Sequence, residues 1–214
     1  MTITDIVEIN IGPSKKKTAY RIYIDYEYAF LLYRQDIKGY QLELNKEISL
    51  ELIDRIIEET VYRRAKQKAM AILKRMDKTE KELYDKLRQA YYTDIIIERT
   101  IEYLKGYKYI DDKRYSSNYI RMRKNTMSKL SIRTKLLQKG INKEVLEEII
   151  AIEYDMDSNE TDPEILAIEK AIQKKYKDIT VLSFEERQKL IASLYRKGFD
   201  LDKIHKCLNY IKLL

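Results

Sequence analysis

Apolar and polar residues alternate along the first part of the chain, and this pattern predicts β-strands. Residues 3–11 and 19–25 alternate on either side of a turn that contains Gly12, and a short apolar run follows at residues 29–33. These segments predict a β-hairpin or a three-stranded meander. Because so small a sheet is only marginally stable alone, we expect it to pack on the helices that follow.

From about Ser49 the apolar residues recur every three or four positions, which predicts helix. The first such run reaches Met76 and would be about 42 Å long as one helix, so we expect it to bend or break near residues 60–64. Five glycines and two prolines are all that interrupt the 214 residues. Long helices are therefore favoured over a β-sandwich or barrel, which needs frequent turn residues.

An internal repeat occupies the rest of the chain. Segments that begin at Leu83, Ile132 and Leu190 align without gaps and place apolar residues at the same positions. The shared positions are Leu87/Leu136/Leu194, Tyr92/Ile141/Phe199, Ile97/Leu146/Ile204 and Ile101/Ile150/Leu208. A further helix precedes each segment, so we predict three tandem three-helix units stacked in an elongated, curved array.

Gly140 and Gly198 occupy equivalent places in two copies of the repeat, and each directly follows a lysine. A lysine followed by glycine is typical of a helix C-terminus, where glycine adopts the left-handed conformation without steric cost. The first copy has Tyr91 at this place. We therefore expect Tyr91 to adopt a left-handed conformation that is strained for a residue with a side chain.

Together these patterns predict a mainly α-helical protein with a small N-terminal sheet. We divide the sequence into residues 1–48, the β-hairpin extension; 49–110, the first repeat with its long leading helix; 111–154, a basic second repeat; and 155–214, the third repeat. The polar loop at residues 155–160 is a candidate hinge between the last two repeats.

The net charge of +7 is concentrated in the middle of the sequence. Residues 61–150 carry 23 basic and 12 acidic side chains, whereas acidic residues outnumber basic ones on either side. From Lys113 to Lys143 there is no Asp or Glu at all. Helices that face only water usually mix both signs in ion pairs between neighbouring turns, so we interpret this acid-free interval as a surface that binds a polyanion or an acidic protein.

The acid-free interval supplies the candidate binding residues, and the Asp111–Asp112 pair before it predicts a helix N-terminus. On that helix, we expect one arc to face solvent and another to face the core. The outward arc contains Arg114, Asn118, Arg121 and Asn125, and the inward arc contains Tyr115, Tyr119 and Met122. The complete candidate set is Arg114, Asn118, Arg121, Arg123, Lys124, Lys129, Arg133, Lys135 and Lys139.

Tyrosine is unusually frequent, with 19 residues against three phenylalanines and no tryptophan. Exposed tyrosines can stack on unpaired nucleic-acid bases. Most recur at core spacing instead, and we expect core or rim packing for Tyr62, Tyr84, Tyr103 and Tyr119. Tyr91 and Tyr92, beside a turn between helices, are the tyrosines that we expect to be exposed.

The sequence gives little support for catalytic or metal chemistry. The only cysteine and histidine, Cys207 and His205, form neither an internal disulfide nor a four-ligand zinc site, and their spacing does not align a nucleophile with a base. We expect no enzymatic activity, no cofactor and no metal, with Cys207 as a small buried or half-buried side chain. Since neither a secretory signal nor an apolar run of about 18 residues occurs, we expect a cytoplasmic protein that does not enter a membrane.

The stretch from Gly106 to Gly140 resembles the RecX family of regulators of bacterial RecA-type recombinases, and the resemblance extends over roughly residues 60–214. The matching residues are Gly106, Tyr107, Ile110, Asp111, Asp112, Arg114, Tyr115, Tyr119, Arg123 and the run Leu136–Ile141, which Arg196–Phe199 echoes in the third repeat. The sequence departs from the family at Ser128, where glycine is frequent. Because serine caps helices well, we expect the helix after it to be kept.

The resemblance implies a regulator without enzymatic activity that lies along the groove of a recombinase filament on single-stranded DNA. Such a protein inhibits ATP hydrolysis and strand exchange or promotes loss of the filament, and we expect it to act as a monomer. Two alternatives remain open: a helical-repeat module that binds DNA directly without a recombinase partner, and a scaffold for an acidic protein. The filament hypothesis predicts tight binding only to assembled filaments, whereas the first alternative predicts comparable binding to bare DNA.

Overall fold

The structure is a computed structural model that describes residues 1–12, 17–155, 161–176 and 182–210. It is mainly α-helical with a small N-terminal sheet, which confirms the predicted fold class. The chain divides into two compact units, Met1–Ile110 and Asp111–Leu214. Each unit contains two separate clusters of buried apolar side chains, so each has its own hydrophobic core.

The N-terminal sheet is a three-stranded antiparallel meander in the order β1-β2-β3, as the alternation predicts. The strands are β1 (Ile3–Ile11), β2 (Lys17–Ile24) and β3 (Glu27–Leu32). One face buries Ile22, Phe30 and Leu32 in a core that the following helices complete. The sheet is therefore stabilised by packing on helices, which compensates for its small size.

The helices of the first unit include the long helical run that the sequence predicts, interrupted once. They are α1 (Arg34–Gly39), α2 (Leu50–Ile56), a π-helical segment (Ile57–Tyr62), α3 (Arg63–Leu73), α4 (Glu80–Arg88) and α5 (Asp94–Gly106). The run begins at Ser49, whose hydroxyl accepts a hydrogen bond from the Leu52 N–H at 3.2 Å. The expected irregularity near residues 60–64 takes the form of the wider π-helical turns.

The second unit continues the repeat with six α-helices among its described residues. They are α6 (Asp112–Arg123), α7 (Lys129–Gln138), α8 (Lys143–Glu153), α9 (Pro163–Gln173), α10 (Phe184–Arg196) and α11 (Leu201–Tyr210). The aligned residues Ile97, Leu146 and Ile204 are all fully buried, which confirms the repeat. Residues 156–160 of the candidate hinge lie outside the part of the chain that the structure describes.

The turn between the last two helices of each repeat has the predicted left-handed residue. The φ angles are 87° at Gly140, 82° at Gly198 and 68° at Tyr91. The strain at Tyr91 is offset by two contacts with the sheet: its carbonyl accepts a hydrogen bond from the Tyr28 hydroxyl, and the Arg21 guanidinium lies 4.6 Å from its ring centroid.

The expectation that Tyr91 and Tyr92 are exposed is wrong, because both are half-buried. They lie where the first repeat packs on the sheet, and Tyr92 contacts both cores of the first unit. Burial raises the pKa of Tyr92 to about 12. The expectation that four other tyrosines pack in the core or at its rim is confirmed. Tyr62 is buried, and three are half-buried against a core: Tyr84, Tyr103 and Tyr119.

Cys207 is buried in the core of the third repeat, as expected, with 2% of its surface exposed. Burial raises the pKa of its thiol to about 11, so the reactive thiolate is scarce near neutral pH. Among the described residues, no cluster of three or more His, Cys, Asp or Glu side chains is placed to hold a metal ion. No helix of the described chain is both long and apolar enough to cross a membrane.

Candidate interface in the second repeat

The helices of the second repeat begin at short polar residues that fix their positions. The Asp111 carboxylate accepts a hydrogen bond from the Arg114 N–H at 2.9 Å, as the Asp111–Asp112 pair predicts. The Ser128 hydroxyl accepts one from the Ser131 N–H at 3.1 Å, so serine does cap α7. Asn142 caps α8 in the same way through the Val145 N–H. These caps set the start of α6 and α7, which carry the candidate residues, and of α8, which packs beside them.

Three of the four residues predicted on the outward arc are exposed as expected, whereas Asn125 is half-buried, and the inward arc is also only partly correct. Met122 is 75% exposed, whereas Ser116 and Ile120 are fully buried. Ser116 can occupy the core because its hydroxyl donates a hydrogen bond to the Asp112 carbonyl at 2.7 Å. The buried stripe is therefore centred on Ser116 and Ile120, which turns Met122 towards solvent.

The remaining two residues of the inward arc lie at the margin of that stripe. Tyr115 and Tyr119 are half-buried, and their nearly parallel rings are 6.4 Å apart between centroids. Both pack against the core of the second repeat. The expectation that they face the core is therefore confirmed for the two tyrosines and wrong for Met122.

Arg121 is the candidate residue with the most extensive partner contacts. Its guanidinium binds the Glu153 carboxylate through two contacts of 2.8 Å, and the hydrogen bonds raise the pKa of Arg121. The Glu153 side chain is only 6% exposed, while that of Arg121 is 64% exposed. Lys124 donates to the Glu153 carbonyl at 2.9 Å. Arg121 and Lys124 therefore join α6 to the end of α8, and Arg121 compensates a buried carboxylate.

Sequence analysis missed Glu153, because an acidic residue on a helix usually faces solvent. The repeat nevertheless contained a signal. In the gapless alignment Glu153 corresponds to Leu104, which is fully buried. An acidic residue at a core position of the repeat requires a cation nearby, and the acid-free interval supplies Arg121.

Three further candidate residues contact side chains within the second unit. The Lys129 ammonium lies 5.1 Å from the Tyr154 ring centroid, and the Lys139 ammonium lies 5.5 Å from that of Tyr115. Arg133 on α7 forms an ion pair with Glu147 on α8. The two ring contacts keep the lysine ammonium groups against the surface of the second repeat. The Arg133–Glu147 ion pair is exposed and therefore contributes little to stability.

The other four candidate residues are exposed: Arg114, Asn118, Arg123 and Lys135. Within the described residues, the side chains of Arg123 and Lys135 have no hydrogen-bond, ion-pair or ring contact. Their charges are therefore available to a ligand at no cost to internal contacts. The nine candidate residues thus differ in kind, since some stabilise the second repeat while Arg123 and Lys135 are solvated cations.

Comparison with known proteins shows that the chain is similar to a single family of regulatory proteins. Residues 164–208 match the family model described as RecX, third three-helix domain, and residues 65–104 match that described as RecX, first three-helix domain. The chain is 34% identical over 200 residues to the regulatory protein RecX of Clostridium acetobutylicum, with 92% of each protein covered. It is 30% identical over 211 residues to that of Clostridium tetani, covering 97% of this chain and 94% of the relative.

Two crystal structures have a similar fold. One, of a regulatory protein RecX, has a TM-score of 0.59 at 22% identity and covers 98% of this chain and 100% of that chain. The other, of RecX from Lactobacillus salivarius, has a TM-score of 0.56 at 26% identity and covers 72% of this chain and 97% of that one. Because the first of these structures is only 22% identical in sequence, it shows a shared fold and nothing more.

Proposed function

Because the chain belongs to the RecX family of regulatory proteins, we propose that it regulates a RecA-type recombinase by binding the filament that the recombinase forms on single-stranded DNA. It binds along the filament groove and either inhibits ATP hydrolysis and strand exchange or promotes disassembly. It acts in the cytoplasm as a monomer and has no enzymatic activity of its own.

The observation that carries this proposal is the acid-free interval and the way in which its cations are held. Residues 113–143 contain no Asp or Glu, and Arg123 and Lys135 are exposed without partners among the described residues. Such a surface attracts phosphates and acidic side chains, both of which a nucleoprotein filament presents. Arg121 and Lys124 support the surface by joining α6 to α8.

A gel shift of one labelled oligonucleotide, with and without assembled recombinase, tests the proposal. We expect the full chain to bind the filament at least about tenfold more tightly than bare DNA, a difference of about 1.4 kcal/mol. The reason is that the filament offers protein contacts in addition to phosphates. Equal affinity for the two targets would favour the alternative of a direct DNA-binding module and contradict the filament hypothesis.

A further inference from the structure

A cavity of about 720 Å³ lies between the second and third repeats within the Asp111–Leu214 unit. The loop before α7 and the first turn of α7 form one wall, and the C-terminal ends of α9 and α10 form the other. Four lysines line it: Lys170, Lys174, Lys175 and Lys197. No acidic side chain is among the described residues that line this four-lysine pocket.

Hydrogen bonds between the two repeats hold the walls of the pocket in place. The hydroxyls of Ser128 and Ser131 both donate to the Lys197 carbonyl, at 2.6 and 2.7 Å. A second tie is the buried Glu164, which accepts from the Lys129 N–H at 3.1 Å and from the Lys203 ammonium at 3.0 Å. The pocket is therefore formed before any ligand arrives, which lowers the entropic cost of binding.

The charge of the pocket is not balanced within the described parts of the chain. None of the four lysines forms an ion pair there. Lys170 and Lys174 are one helical turn apart, a spacing at which like charges repel. A lysine near a helix C-terminus interacts favourably with the negative end of the helix dipole. One lysine at the end of α9 and one at the end of α10 are enough for this, whereas four lysines line the pocket. No described side chain neutralises the remaining positive charge, which makes the pocket attractive to an anionic ligand.

The donors in the pocket indicate what kind of anion fits. The Ser128 and Ser131 hydroxyls donate to the Lys197 carbonyl, and that of Thr126 donates to the Arg123 carbonyl, which leaves the lysine ammoniums as the side-chain donors. Lysine acts on phosphate as a point charge without directional or sequence preference. An apolar floor of Met127, Ala171 and Phe199 offers a surface for a sugar or base.

We propose that the four-lysine pocket binds the phosphodiester backbone of single-stranded nucleic acid. A flexible strand can enter a concave pocket that a stiff duplex cannot follow. This inference goes beyond the proposed function, because it requires no recombinase and its four lysines lie outside the acid-free interval. Binding of a bare strand at this pocket is weaker than binding to a filament, because the filament adds protein contacts.

The test is the affinity of the full chain for fluorescent oligothymidine, without recombinase, across a series of salt concentrations. Replacing Lys174→Gln and Lys197→Gln together should flatten the slope of log K against log salt by about 1.4, at about 0.7 per phosphate contact, and weaken binding about 25-fold at 0.1 M salt. The matched control replaces Lys189→Gln and Lys206→Gln, exposed lysines of the third repeat that do not line the pocket. Equal weakening by both pairs would overturn the proposal.

Lysine acetylation of the unmodified chain gives a second measurement that does not depend on a variant. With oligothymidine bound, we expect the lysines of the pocket to be acetylated more slowly, while Lys189 and Lys206 react at the same rate as before. Unchanged acetylation of the pocket would overturn the proposal. So would equally tight binding of polyglutamate of the same charge, because the pocket would then be a site for an acidic protein.

Discussion

Gly198→Ala is expected to lower the free energy of unfolding by about 2–4 kcal/mol. Gly198 has a φ of 82°, which is strained for alanine. A Cβ atom there would lie 3.0 Å from the Ser128 hydroxyl and 3.2 Å from the Leu130 Cβ. Because Ser128 also donates to the Lys197 carbonyl, the added methyl group disturbs the contact between the second and third repeats. Urea denaturation of the full chain measures the change.

Gly12→Ala is the matched control, because it separates backbone strain from the loss of space. Gly12 has a φ of 87°, but no described atom outside its immediate neighbours lies within 4 Å of a Cβ built there. We expect a loss of only about 1 kcal/mol at Gly12. Equal losses at the two glycines would show that the packing of the repeats at Gly198 contributes nothing.

Arg123→Glu with Lys135→Glu is expected to weaken binding to the recombinase filament by at least about 25-fold at 0.1 M salt, if each side chain makes one phosphate contact. Both side chains are exposed and without partners among the described residues, so the folded state should change by less than about 0.5 kcal/mol. Co-sedimentation with filaments measures binding, and thermal unfolding checks the fold. Arg121 is unsuitable for this test, because its loss would leave the buried Glu153 without its cation.

The control for this pair is Lys189→Glu with Lys206→Glu, which changes the net charge by the same amount on the third repeat. Filament binding should then change by about twofold or less, since exposed charges far from a contact are largely screened at this salt concentration. Lys174 and Lys175 would be poor controls, because both line the four-lysine pocket. Equal loss from both pairs would show that overall charge, and not the surface of the second repeat, carries the interaction.

The features that could be predicted from the sequence are those that local chemistry determines. The alternation of the strands, the repeat positions such as Leu136, and the left-handed Gly140 and Gly198 each depend on a few neighbouring residues. The caps at Asp111 and Ser128 are of the same kind, since a short polar side chain binds the N–H groups of the next turn. The fold class follows from these elements.

The features that the sequence did not reveal depend on contacts between distant residues. Met122 is exposed because Ser116 takes a core position, which a division into polar and apolar residues does not anticipate. Arg121 is engaged because Glu153, 32 residues away, is buried. The four-lysine pocket combines residues of both repeats, because the lysines at the end of α9 meet Lys197 and the start of α7 only in the folded chain.

The most direct test of the filament hypothesis is the rate of ATP hydrolysis by a RecA-type recombinase on single-stranded DNA as the full chain is added. We expect the rate to fall progressively with added chain, because filament binding inhibits or disassembles the active form, while the chain alone hydrolyses no ATP. A recombinase rate that stays constant while the filaments are saturated with the chain would contradict the proposed function.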